Sequence, residues 1–448
     1  MAYIANTDQD RKEMLDFIGV KSFEELLSNI PQNLLLKKHL DIGEPLSEIE
    51  IKRLVGTILS KNTDIKSVNS FLGGGVYDHF VPAVVDHIIS RPEFLTTYTP
   101  YQAEVSQGTL QWIFEYQSLI CELTGMDISN AGMYDGASAT AEAILMSCRK
   151  NKLTKAIVSD TINPLYLNVI KVYTEDAGIE LITVPAQEGS TDIDYLSTVI
   201  DDKTSCVVIQ SPNYYGIIED CFEIEKLVRK SPKALFITVN DPISLAILNA
   251  PSEYNADIVT GEGQALGNKP YYGGPLFGFL ACKLDLARNL PGRIVGETVD
   301  ANGDRAYCLT LQAREQHIRR DKATSNICSN EALCCLAATI YMCLLGKNGL
   351  REIAELSMKN SHYLANEINK IEGLSIAYNK PFFKEFAIKT QMSPTELINN
   401  LSKNNIFAGI PIEDRSLLLI AVSETKTKQE IDNLVLNLKR SINGKANI

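Results

Sequence analysis

The chain has 448 residues, 45% of them hydrophobic and 22% charged, with a formal net charge of −12. That is apolar material enough for two or three domains with sizeable cores, and the acidic balance excludes the basic stripe of a nucleic-acid-binding protein. Ten cysteines without a C-x-x-C pair and five histidines without zinc-ligand spacing exclude a disulfide framework and a metal centre.

The start, Met1-Ala2-Tyr3-Ile4-Ala5-Asn6, lacks a basic segment followed by an apolar core. No apolar run reaches membrane-spanning length. A cytoplasmic protein without a membrane partner is expected. Residues 1–66 read as a helical arm, continuous in texture from Asp8 to Asn62, with capping boxes at Ser22-Phe23-Glu24-Glu25 and Ser47-Glu48-Ile49-Glu50. Such an arm either wraps a partner or caps its own chain.

Residues 67–329 change texture. Short β-branched runs at 155–159, 179–184, 206–210, 234–239, 258–260 and 277–281 alternate with helical stretches such as Pro164 to Gly178 and Glu223 to Ser231. Near-continuous apolar strands indicate a parallel sheet covered on both faces, hence an α/β large domain. Residues 330–448 read as a long helix ending before Gly346 and Gly349, followed by a small α+β domain with strands at 374–378, 385–389 and 417–422 and helices at 393–404 and 428–441.

Several segments carry candidate chemistry. Tyr98, Thr99, Tyr101 and Gln102 offer hydroxyl and amide donors for a carboxylate, or are aromatic packing with polar tips. Gly132 to Glu142 opens a helix of small residues, which either receives an anion at its N-terminus or packs close to the sheet. Asp241 follows an apolar strand, where a carboxylate can pair with a pyridinium nitrogen; Asp241-Pro242 also fits a helix N-cap. Gly261-x-Gly263 lacks the rest of a dinucleotide fingerprint. Lys269 is the nearest lysine past that strand, as a Schiff-base nucleophile or as a solvated loop residue. Arg314-Glu315-Gln316-His317-Ile318-Arg319-Arg320-Asp321-Lys322 reads as a solvated face or as a latch between subunits leading into Thr324-Ser325-Asn326. Arg415 reads as a turn arginine or a carboxylate clamp.

Taken together, Tyr98 to Gly108, Asn130 to Glu142, Asp241 to Leu245, Gly261-Glu262-Gly263-Gln264 with Gly273-Gly274-Pro275, and Arg314 to Cys328 resemble the P protein of the glycine cleavage system, specifically subunit 1 of its split form, the N-terminal half. The resemblance implies the aspartate-aminotransferase-like fold of type I pyridoxal-phosphate (PLP) enzymes. Its large domain has a parallel-rich sheet, beside a small C-terminal α+β domain and an N-terminal helical arm. It implies pairing with a subunit 2 that carries the PLP-binding lysine, two copies of each chain forming a heterotetramer. The corresponding loop here, Gly263, Gln264, Ala265 and Leu266, holds no lysine, so no cofactor is covalently held on this chain. The implied activity is that of glycine dehydrogenase (aminomethyl-transferring): glycine is decarboxylated and its aminomethyl group passes to the lipoyl arm of the H protein. By the same resemblance Tyr98, Tyr101 and Gln102 take catalytic roles, and Thr324, Ser325 and Asn326 donate to the PLP phosphate of the partner subunit. Two competing readings are a self-sufficient PLP enzyme using Lys269 and a noncatalytic scaffold for a homologous partner.

Overall fold

The computed structural model describes residues 5–38, 40–271, 274–327 and 329–444. Gly273 and Cys328 of the resembling segments, His39, and Met1 to Ile4 of the N-terminal reading lie outside the described residues. The chain divides into two compact units, Met1–Thr63 and Asp64–Ile448, so the expected large and small domains belong to one unit.

In the first unit, Thr7 starts α1 (Asp8–Ile18): its hydroxyl accepts from Asp10 N, and the Asp10 carboxylate accepts from Thr7 N. Ser47 and Glu50 close the same box on α3 (Glu48–Leu59). Ser22 closes none. Glu25 accepts instead from Lys21 N at 3.3 Å, and α2 (Phe23–Leu26) is a single turn. The expected helical arm is interrupted between Leu26 and Glu48, where Pro31, Gly43 and Pro45 oppose helical propagation. None of the described residues of this unit is buried, although Phe17, Leu34, Leu36, Leu40, Ile42 and Ile58 are exposed apolar side chains.

The second unit is built on a seven-stranded sheet. Its strands are β1 (Ile128–Ser129), β2 (Lys155–Ser159), β3 (Glu180–Val184), β4 (Thr204–Gln210), β5 (Leu235–Val239), β6 (Ile258–Glu262) and β7 (Gly278–Cys282), in the order β1-β7-β6-β5-β4-β2-β3. The five strands from β2 to β6 pair in parallel. The run at 277–281, expected as one more parallel strand, forms β7 and runs antiparallel to both β6 and β1. Residues along each strand alternate between two buried faces. Ile157, Val207, Ile209 and Phe236 enter one core with α4 (Gln107–Thr124) and α7 (Cys221–Val228), while Ala156, Val158, Val208 and Ile237 enter the other with α5 (Gly136–Asn151) and α6 (Pro164–Glu175). That double burial is why the strands read as unbroken apolar runs.

The long helical segment α8 (Ala332–Ile368) is two helices joined across a kink at Gly346, where the backbone has φ 58 and ψ −170, so the first of them ends where the sequence placed its end. By length and composition alone the whole segment α8 would pass for a membrane span, but its apolar run from Ala332 stops at the Gly346 kink, and half of its most apolar window is buried within the protein. Its first part packs Cys335, Leu336, Ala338 and Tyr341 into the large core, and its second packs Leu364, Ala365 and Ile368 into a separate small core. That small core underlies a four-stranded sheet of β8 (Leu374–Ile376), β9 (Glu385–Thr390), β10 (Ile410–Ile412) and β11 (Leu417–Ala421), in the order β8-β9-β11-β10. Helices α9 (Pro394–Ser402) and α10 (Lys428–Ile442) complete it with Leu397, Leu401, Ile431, Leu434 and Leu438.

Candidate functional site

The carboxyl ends of β4, β5 and β6 face a cleft toward the residues that lead into β9, the place where open α/β sheets bind ligands. Asp241 stands just past β5 and caps no helix, since the following short helical turn begins only at Ser244. Asp241 Oδ1 accepts from Ile243 N at 2.9 Å, closing an Asx turn, and Oδ2 lies 2.7 Å from Lys384 Nζ. Lys384 is 1% exposed. Its ammonium sits 3.8 Å from the Tyr77 ring centroid and 2.9 Å from His79 Nε2, and His79 Nδ1 lies 2.6 Å from Glu424 Oε2. Burial works to raise the Glu424 carboxyl, but the hydrogen bonds from His79 and Phe80 N hold it below its ordinary value of 4.5.

Two further carboxyl groups close the cleft. Glu385 Oε1 accepts from Gly74 N at 2.7 Å and Oε2 from the Tyr77 hydroxyl at 2.9 Å; its complete burial pushes it up to about 7. Glu262, at the end of β6, is pushed up to about 8 by burial, against hydrogen bonds from Gly136, Phe277 and Gln264 N–H groups. Gly136 is the first residue of α5, capped by Asp135, whose side chain accepts from Ser138 N at 2.6 Å. The helix N-terminus expected to receive an anion therefore receives the chain's own Glu262, 3.0 Å from Gly136 N. The small residues of α5 serve the packing reading as well: a Cβ at Gly136 would run into the Tyr166 hydroxyl.

Pyridoxal phosphate does not fit these residues. It needs a lysine amine, an open carboxylate and a free helix N-terminus. The loop contributes Ala265 to the cleft, Asp241 is held by Lys384, and Gly136 N is held by Glu262. About 40 Å³ remains between them, against roughly 300 Å³ at the lower end for small-molecule sites. Lys269 is no substitute: it reaches outward to the Asp86 carboxylate, and that hydrogen bond holds its ammonium above its ordinary value, the opposite of an activated amine. Lys384, Glu385, Glu262 and Tyr77 were all missed from sequence. The available signal was a Lys-Glu pair directly after Phe382-Phe383 at the mouth of an apolar strand.

None of Tyr98, Tyr101, Gln102, Thr324, Ser325 or Asn326 lines this cleft. Thr97 to Pro100 instead border a second cavity of about 240 Å³, with Trp112, Arg293, Asn330 and Glu331. Tyr98 is 79% exposed and Tyr101 is half exposed. The Tyr101 hydroxyl lies 3.4 Å from Arg293, and its ring packs edge-on against His317. Gln102 is exposed. Thr324 N donates to Arg314 O at 3.2 Å, Ser325 Oγ accepts from Ile327 N at 3.1 Å, and Asn326 is exposed. The charge-dense segment is not all solvated surface. Arg314 and Glu315 are buried, and the Arg314 guanidinium donates to Leu290 O and Gly292 O. Arg293, also missed from sequence, is buried, and its Nε has no hydrogen-bond partner. Arg415 is committed to Asp160 at 2.8 Å.

The family model for the glycine cleavage system P-protein matches residues 1–438. The chain is 48% identical over 443 residues to a probable glycine dehydrogenase (decarboxylating) subunit 1 from Desulfitobacterium hafniense, covering 98% of this chain and 99% of the relative. Among solved structures, glycine decarboxylase (P-protein) of the glycine cleavage system, in inhibitor-bound form, superposes with a TM-score of 0.92 at 40% identity, covering 98% of this chain and all of that one. A C-DES variant with glycine covalently linked to its PLP cofactor superposes with a TM-score of 0.62 at 14% identity, over 84% of this chain and 99% of that one. That last likeness shows the fold alone, the type I fold of PLP-dependent enzymes.

Proposed function

The chain belongs to the glycine cleavage system P-protein family, and from that premise we propose that it is subunit 1 of a two-subunit glycine dehydrogenase (decarboxylating) whose catalytic centre is shared with the partner chain. The observation that carries the sharing is the Lys384–Asp241 pair, which commits the only carboxylate at the end of β5. A P-protein subunit that lacks both the lysine and an open cleft leaves the electron-sink chemistry of PLP to its companion. We therefore assign the covalently held cofactor to subunit 2, in a cytoplasmic heterotetramer of two chains of each kind, with glycine and the lipoylated H protein as its other partners.

In this reading the chain binds and orients. Tyr98 and Tyr101 offer hydroxyls and Gln102 an amide from an exposed loop, so they can reach a glycine carboxylate or a lipoyl thiol at an interface. Thr324, Ser325 and Asn326 supply short polar side chains toward the phosphate of the partner's cofactor. Arg293 fixes the Tyr101 ring from behind. Release of labelled carbon dioxide from carboxyl-labelled glycine tests the assignment. This chain alone releases none, subunit 2 alone releases little, and the mixture releases it at the full rate; release by this chain alone overturns the reading.

The filled cleft also supports a second reading, a noncatalytic scaffold. Variants of the Tyr98 loop separate the two: in a scaffold they weaken the complex and spare its turnover, whereas in a shared centre they lower turnover of an intact complex.

A further inference from the structure

The cleft groups do more than exclude a ligand, for Lys384, Glu385 and Tyr77 join two parts of the unit. Asp241 follows β5 of the seven-stranded sheet, and Lys384 directly precedes β9 of the four-stranded sheet. Between them runs residues 73–80, which bonds to both sides. Tyr77 N donates to Gln264 Oε1 at 2.9 Å on the large-sheet side, and the Tyr77 hydroxyl donates to Glu385 Oε2 on the small-sheet side. His79 and Phe80 N reach Glu424, beyond β11. The chemistry of the fillers also matches what a phosphorylated pyridine would present. A cation meets the strand-end carboxylate, and an acid group meets the Gly136 N–H that opens α5.

We propose that this cleft is a cofactor site occupied by the chain's own side chains, in which Lys384 is a tethered substitute for a pyridinium and clasps the four-stranded sheet onto the seven-stranded one. Unlike a diffusible ligand, this substitute is covalently joined to the strand β9 that it precedes, so it cannot dissociate from the chain. Lys384 is a positioning residue, since it touches no reacting atom. The inference rests on the fold and the cleft geometry and not on the proposed reaction.

Two measurements on the full-length chain test it. The first is equilibrium dialysis against pyridoxine 5′-phosphate, which has the ring and phosphate but no aldehyde for surface lysines to trap. No saturable uptake is expected at millimolar ligand; saturable uptake that Asp241→Asn abolishes overturns the proposal. The second is amide hydrogen exchange. Lys384→Met, and the charge-neutral double variant Asp241→Asn/Lys384→Met, should each speed exchange at residues 73–80 and 385–390 by tenfold or more while β2 and β4 keep wild-type rates. Unchanged exchange in both variants overturns the clasp. The double variant leaves no buried charge unpaired, so it keeps the test decisive if Lys384→Met alone does not fold. Carbon dioxide release reports the proposed reaction separately and moves neither readout.

Discussion

The Arg293 guanidinium carbon lies 5.6 Å from the centroid of the Tyr101 ring, and the same arginine approaches the Tyr101 hydroxyl to 3.4 Å. A buried cation thus orients an aromatic residue that is half exposed, an arrangement that holds the hydroxyl in place without covering it. Tyr101→Phe keeps the ring and removes the donor. It is expected to lower kcat/KM of the reconstituted complex by roughly tenfold, about 1.4 kcal/mol, with the melting temperature unchanged. Steady-state assay of glycine decarboxylation with the partner and the H protein checks this, and an unaltered rate removes the role given to Tyr101.

Asp241→Ala leaves the Lys384 ammonium buried without its counter-charge. Breaking a buried pair from one side costs about 3–5 kcal/mol. Urea unfolding of the isolated chain should show a loss in that range. A loss no larger than that of an exposed pair, under about 1 kcal/mol, means that water reaches Lys384 and the cleft is open.

Two glycines near helix starts should respond oppositely to alanine. At Gly136 an added Cβ meets the Tyr166 hydroxyl and Glu262 N, so Gly136→Ala should destabilise by about 1–3 kcal/mol through overpacking. At Gly108, near the start of α4, nothing lies within 4 Å. Gly108→Ala should stabilise by about 0.5–1 kcal/mol through reduced unfolded-state freedom. Thermal melts of the two variants side by side check the contrast.

Stability should also depend on pH through the two raised carboxyls. Glu262 and Glu385 titrate near 8 and 7 in the folded chain against an ordinary value of 4.5, so the folded state holds more protons than the unfolded one in that interval. Their contribution is complete below about 4.5 and is lost as pH rises through 7 to 8. Glu424 acts the other way: its lowered value stabilises above 4.5 and is lost as the solution becomes more acidic. Glu262→Gln should flatten the decline between pH 5 and 8 in denaturant titrations; an unchanged slope removes Glu262 as its source.

The strands were legible because residues such as Ile157 and Val158 alternate between two buried faces, which leaves an apolar run with no polar beat. Direction was not legible. The strand β7 is a short buried run like its parallel neighbours, and nothing local distinguishes a strand that runs back. Asp241 was visible as a strand-end carboxylate, but its partner lies 143 positions away, from Asp241 to Lys384, beyond any spacing rule. Lys384 itself sits where a lysine before a strand ordinarily reaches solvent. Arg314 misled for the reverse reason: charge density around it signals a wet surface, while its guanidinium is spent on two buried carbonyls. Tyr98 and Tyr101 were visible as polar aromatics, but whether they pack or stand exposed was open in the sequence; the structure leaves Tyr98 79% exposed.

The kink at Gly346 has a mechanical consequence. Its φ of 58 and ψ of −170 lie at the edge of the backbone region that only glycine occupies cheaply, yet an added Cβ would touch nothing. The penalty for any other residue there comes from its own backbone and not from packed neighbours. A single unobstructed dihedral pair therefore sets the angle at which the second helix leaves the first, still packing Leu350 and Ala354 into the large core before it carries Leu364 and Ile368 into the small one.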